Sequence, residues 1–178
     1  MIRLFVAIDL PPDVKEHLAA ICYGLAGARW IDLDQLHLTL RFIGEVDGSL
    51  YLDIKEILST VKTKPFSLQL KGVGHFPPRK EPRVIWVGVE KNEALPRLRA
   101  KIETTLVKEG LPPEGRKYSP HITIARLKNT ATVKVGNFMA ANSLFASEPF
   151  PVEKFYLYSS KLTPKGAIHI IEASYPLS

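Results

Sequence analysis

One four-residue pattern is written twice in this chain. His37-Leu38-Thr39-Leu40 stands inside "LHLTLRF", and His121-Ile122-Thr123-Ile124 stands inside "HITIAR". Both runs have the composition of strands. Side chains alternate between the two faces of a strand. His37 and Thr39 therefore share one face, and Leu38 and Leu40 share the other. His121 and Thr123 sit over Ile122 and Ile124 in the same way. An imidazole and a hydroxyl are costly to bury without partners. Each copy therefore calls for a sheet packed on its apolar face, with a polar cleft on the other.

The copies are separated by 84 residues, close to half the length of the chain. A second match reinforces the first. "LFVAI" near the start resembles "IWVGV" in the middle, which sets Phe5 beside Trp86 at an offset of 81. Strand signals also fall at 2–8, 83–90 and in "FSLQLKGVG", "EKFYLYSSKL" and "AIHIIEASY". Helical spacing marks Val14 to Leu25, Leu50 to Val61 and Leu95 to Leu106, and a short helix is expected within 131–146. The predicted fold is α+β and duplicated, with antiparallel sheets facing a central cleft and helices on the outer faces. It is read as a single domain, 1–178, of two lobes related by a pseudo-two-fold axis, the sequence repeat running approximately over 1–82 and 83–178. Such an axis brings a repeated residue to its twin, where ligand pockets are common.

Bulk properties narrow the partners. The 24 basic and 18 acidic residues leave a net charge of +6, which favours anionic partners such as RNA or nucleotides. One cysteine, Cys22, precludes an internal disulfide and is read as a small buried residue. "MIRLFVAIDL" is too short and too charged for a membrane span or signal peptide, so a cytoplasmic protein without membrane contact is expected. A monomer is expected as well.

Two imidazoles and two hydroxyls around one small volume suit acid–base chemistry. Imidazole titrates near neutrality, so one ring can be neutral while the other is protonated. That combination serves as general base and general acid. Threonine hydroxyls can donate to an oxyanion. Arg126, three residues beyond Thr123, adds a guanidinium. The set suits a phosphate ester, and a strained cyclic phosphodiester is within its reach without a metal. Neither histidine has a further ligand at zinc-binding spacing. The spacing alone does not say which ring is acid and which is base.

The remaining histidines are read differently. His17 falls on the polar side of the first helix, His75 in a Gly/Pro-rich surface loop, and His169 in the last strand as a structural residue. Lys71, Arg79, Lys80 and Arg83 form a loose basic cluster that suits an RNA backbone or a solvated loop.

"HLTLRFIGEV" and "SPHITIARL" resemble the two signature motifs of the 2H phosphoesterase superfamily. "MIRLFVAIDLP", "GVGHFPPRKEPRVIWVGV" and "FYLYSSKLTPKGAIHIIEASYPL" resemble its branch of RNA 2′,3′-cyclic phosphodiesterases, also called 2′-5′ RNA ligases. The resemblance covers essentially the whole chain; His75 and the 128–147 region depart from it. It implies two α+β lobes about a cleft, with the chain crossing between them. The implied reaction opens a terminal 2′,3′-cyclic phosphate on RNA, leaving a 2′-phosphate. In the alternative reading, the protein joins or binds RNA ends through 2′-5′ chemistry and hydrolysis is incidental. RNA ends bearing the cyclic phosphate, or small cyclic nucleotides, are the implied substrates. No metal or other cofactor is implied. By position, His37 would be the general acid and His121 the general base, with Thr39, Thr123 and Arg126 on the phosphate oxygens.

Overall fold

The computed structural model describes residues 1–178. In chain order the elements are β1 (Ile2–Asp9), α1 (Pro12–Ala19), β2 (Ala28–Trp30), β3 (His37–Val46), α2 (Gly48–Ile57), β4 (Phe66–Leu68), β5 (Leu70–Phe76), β6 (Val84–Val89), α3 (Ala94–Lys108), β7 (His121–Leu127), α4 (Thr132–Ala141), β8 (Phe150–Val152), β9 (Lys154–Thr163) and β10 (Gly166–Pro176). They form two four-stranded sheets, ordered β10-β9-β1-β3 and β2-β7-β6-β5, and a two-stranded ribbon of β4 and β8. Every strand pair is antiparallel. The α+β class and the facing antiparallel sheets agree with the sequence.

Local chemistry sets the helix boundaries. Pro12 opens α1, where its missing N–H is no loss. Val14 and Leu18 are its buried residues. The helical spacing in the sequence ran on to Leu25, but α1 stops at Ala19. The chain beyond it turns through Gly24 and Gly27, both at positive φ (78° and 83°). Asp47 caps α2 by accepting from the Leu50 amide at 2.8 Å. Leu95, Leu98, Ile102 and Leu106 form the buried stripe of α3. The short helix expected within 131–146 is α4.

The core joins these helices to the apolar faces of the sheets. Leu38, Leu40, Ile122 and Ile124 are all at most 1% exposed and belong to one cluster with the α1 and α3 stripes. Arg41 is buried among them. It forks onto Glu103 of α3 at 3.1–3.3 Å and also donates to the carbonyls of Phe42 and Pro112. Those bonds satisfy the charge and hold the loop after α3 against β3.

Two features set which strands are neighbours, the first missed by the sequence reading and the second implied by the family resemblance. "FSLQLKGVG" is not one strand. β4 pairs with β8, and β5 turns away to pair with β6 through a register shift at Lys71–Gly72, where Gly72 has φ 76°. In addition, the last strand of each repeated series crosses over. β5 follows the first series but lies beside β6, and β9 follows the second but lies beside β1.

The strand register also corrects the offset between the copies. His37 pairs with Asp9 and Thr39 with Ala7, while His121 pairs with Gly88 and Thr123 with Trp86. Trp86 therefore occupies the place of Ala7, not that of Phe5. A slip of two residues keeps every side chain on its face, so the alternation of apolar residues could not reveal it.

Candidate active site

β3 and β7 repeat more than a sequence motif. Their first seven residues have the same burial pattern, with histidine and threonine half-buried, the residues between them buried, and the sixth residue exposed. Both strands also carry the same irregularity. Thr39 and Arg41 pair with the adjacent residues Ala7 and Val6, leaving Leu40 unmatched. Thr123 and Ala125 pair with the adjacent Trp86 and Ile85, leaving Ile124 unmatched. An extra residue shifts the alternation by one. A residue three positions beyond each threonine therefore returns to the polar face. In β7 that residue is Arg126; in β3 it is Phe42.

These faces meet in a cleft of about 280 Å³ whose lining includes His37, Thr39, His121, Thr123 and Arg126. All five residues singled out in the sequence are thus brought together. The two histidines are oriented alike. His37 Nδ1 donates to the Gln35 carbonyl at 2.8 Å, and His121 Nδ1 donates to the Ser119 carbonyl at 2.7 Å. In each case the carbonyl lies two residues upstream. A proton held at Nδ1 leaves Nε2 as the nitrogen available for chemistry.

Burial pushes the His37 pKa below the ordinary imidazole value, and the Gln35 carbonyl and the Asp9 carboxylate oppose that fall. Asp9 is itself paired with Lys15 at 2.9 Å. Phe5 packs 4.9 Å from the His37 ring, and Phe76 stands 5.0 Å from the His121 ring. Burial against Phe5 thus disfavours the charged form of the His37 ring.

The family model described as the 2′-5′ RNA ligase superfamily matches residues 1–163. The chain belongs to the 2′-5′ RNA ligase superfamily. Relatives named RNA 2′,3′-cyclic phosphodiesterase support the same placement. The one from Archaeoglobus fulgidus is 34% identical over 170 residues, covering 94% of this chain and 96% of that protein. The one from Thermotoga maritima is 36% identical over 178 residues, covering 94% and 91%. Among solved structures, TT0787 of Thermus thermophilus superposes with a TM-score of 0.80 at 28% identity, covering 98% of this chain and 97% of that one. E. coli LigT in its apo form gives 0.81 at 24% identity over 99% and 98%, a likeness of fold.

In this member of the superfamily, several cleft residues were not singled out by sequence. Arg3 lines the cleft, and its guanidinium lies 5.3 Å from the centre of the Phe42 ring. The first copy thus has its cation on β1, where the second has Arg126 on the motif strand itself. Gln35 and His169 line it too. His169 was expected to be structural. It instead faces the cleft, because β10 lies on the outer side of β9 in the same sheet as β3.

The other expectations fared variously. His17 is exposed on α1, with its ring 4.7 Å from Phe145. His75 lies near the end of β5, not in a loop, and its Nδ1 bonds the Pro77 carbonyl at 2.9 Å. Cys22 is half-buried, with its thiol on the Leu18 carbonyl at 3.2 Å. Burial raises its pKa to about 11, which keeps it from acting as a thiolate. No helix is long and apolar enough to cross a membrane.

Proposed function

We propose that this chain hydrolyses the 2′,3′-cyclic phosphate at RNA 3′ ends to a 2′-phosphomonoester, by general acid–base catalysis between His37 and His121. The observation that carries this reading is the matched pair of half-buried imidazoles. Each is clamped at Nδ1 by a carbonyl two residues upstream, and each lines the same cleft with a threonine.

In the proposed reaction, water attacks phosphorus and His121 Nε2 takes its proton. The bond from phosphorus to the 3′ oxygen breaks, and protonated His37 gives its Nε2 proton to that oxygen. The products are a 2′-phosphate and a 3′-hydroxyl. Thr39, Thr123 and Arg126 hold the non-bridging oxygens, where negative charge accumulates. Burial disfavours the charged form of His37, and the anionic phosphate supplies the counter-charge that makes it an acid. Substrate binding and acid activation are in this way one event. No metal is required by the scheme.

A second groove, of about 520 Å³, shares Thr39, Phe42 and His121 with the cleft and is flanked by Arg116 and Lys117. It offers room and positive charge to the RNA attached to the phosphate, which favours RNA ends over free cyclic nucleotides. The same scheme with a 5′-hydroxyl replacing water would join ends through a 2′-5′ bond.

The decisive assay incubates the protein, with and without EDTA, with an oligoribonucleotide ending in 2′,3′-cyclic phosphate and identifies the product terminus. A 2′-phosphate formed equally in both arms is expected. A 3′-phosphate product, or activity abolished by the chelator, would overturn the proposal.

A further inference from the structure

Each motif histidine is braced by one ring standing nearly perpendicular to it. Against His121 the brace is Phe76, with centroids 5.0 Å apart at 82°. Against His37 it is His169, also at 5.0 Å, at 85°. The braces match in distance and angle but differ in chemistry. A phenyl ring meets the demand on one side, so packing alone does not call for nitrogen on the other.

The two nitrogens of His169 have different surroundings. Nδ1 is buried and has no hydrogen-bond partner. The ring is fixed from several directions. Its backbone N–H donates to Gln35 Oε1 at 2.7 Å, and the carbonyl of the same Gln35 accepts from His37 Nδ1. Phe5 stands against the ring at 4.9 Å. His169 lines the cleft, and with Nδ1 buried, Nε2 is the ring nitrogen left to face it. Burial, together with the nearby His37, Arg126 and Arg3, lowers its pKa to about 4, so the ring is neutral at neutral pH. A neutral imidazole carries one N–H. At Nδ1 that proton would be a buried donor without an acceptor, which is unfavourable. The proton therefore belongs on Nε2, where it forms a donor in the same cleft as Thr39, Thr123 and Arg126.

We propose that His169 is a third substrate-contacting histidine, an uncharged Nε2–H donor to a non-bridging oxygen of the cyclic phosphate on the His37 side. It transfers no proton. Its hydrogen bond strengthens as charge builds on that oxygen. The assignment rests on the cyclic phosphodiesterase reading above for the identity of the anion.

Two measurements test it. The first follows the imidazole nitrogens of the wild-type protein by ¹⁵N NMR during titration with inorganic phosphate. The expected result is an Nε2–H tautomer for His169 and an Nε2 resonance that moves as phosphate saturates the cleft. An Nδ1–H tautomer, or a resonance that does not respond, overturns the proposal whether or not the protein turns RNA over. The second compares kcat/KM for the cyclic-phosphate oligonucleotide in two variants. His169→Phe copies the Phe76 brace without a donor and should lose roughly tenfold to a hundredfold. His169→Gln places an amide N–H near Nε2 and should stay within about threefold of wild type. No loss in the Phe variant, or equal loss in both, also overturns it. Failure of the wild type to hydrolyse any cyclic phosphate would count against the reaction, not against this donor, which the phosphate titration then decides.

Discussion

The Tyr118 hydroxyl donates to the carbonyl of Thr39 at 2.9 Å. Tyr118 lies three residues before His121, so a side chain leading into one motif is bonded to the backbone of the other. Burial holds the phenol far above its ordinary pKa, and it remains a donor throughout the working range. The Arg99 guanidinium lies 5.5 Å from the centre of the same ring.

Tyr118→Phe should therefore loosen the distance between the two histidines while leaving the ring in place. The lost hydrogen bond should cost about 1 kcal/mol of stability. Misalignment of the reacting groups should lower kcat by about tenfold or more, out of proportion to that change. Urea unfolding and steady-state kinetics on one preparation check the pair of outcomes. A variant destabilised but fully active would show that the bond is only structural.

Trp86 lies across Gly74 on the neighbouring strand, and a Cβ at Gly74 would overlap the indole. Gly74→Ala must displace the indole, which packs 5.5 Å from the ring centre of Phe76, the ring that braces His121. A loss of about 1–3 kcal/mol is expected from the overpacking, with a fall in kcat as the His121 ring moves. Thermal melting and turnover read the two effects separately.

The proposed scheme makes the two histidines one device. His37→Ala and His121→Ala should each lower kcat by roughly 10²- to 10⁴-fold. The double variant should fall little further, because either loss alone already disables the concerted step. Single-turnover rates measure this directly. Losses that multiply in the double variant would mean that the two rings act in independent steps.

Protonation should couple to both stability and turnover. His37 and His169 have pKa values lowered in the folded protein, His169 from 6.5 to about 4. Below pH 6.5 the unfolded chain binds protons that the native state refuses. Their contribution is therefore fully present above about pH 6.5 and is lost as pH falls toward 4. With the His169 ring half open to water, its share should be on the order of 1–2 kcal/mol. Urea midpoints between pH 7.5 and 4.5 should fall, and fall less steeply in His169→Phe. For turnover, kcat/KM should follow a bell whose alkaline limb belongs to the His37–His121 pair rather than to either ring alone. The limb of kcat should lie higher, since bound phosphate restores the proton.

The site was legible to the extent that its signal is local. A period of two places His37 with Thr39 and His121 with Thr123, and the strands obey it. Arg126 was reached by proximity, but the unmatched Ile124 is what turns it into the cleft. His169 could not be reached in this way. It lies 132 residues from His37, and its place depends on β10 lying beside β9, a pairing that no local periodicity encodes. Local periodicity does not show the exchange of β5 and β9 either; the crossing of the chain was legible only through the family resemblance. An apolar strand announces that it needs neighbours without announcing which ones.

The position of β1 between β3 and β9 also has a consequence for how the chain is made. Residues 2–9 leave the ribosome before both of their partner strands, and β3 can cover one of their edges soon afterwards. The opposite edge finds its partner only when residues 154–163 have been translated. Until then β1 is paired along one edge only, and the His37 wall of the cleft stays incomplete. An unpaired strand edge is a template for wrong pairing, so the topology itself sets how long this chain carries that exposure.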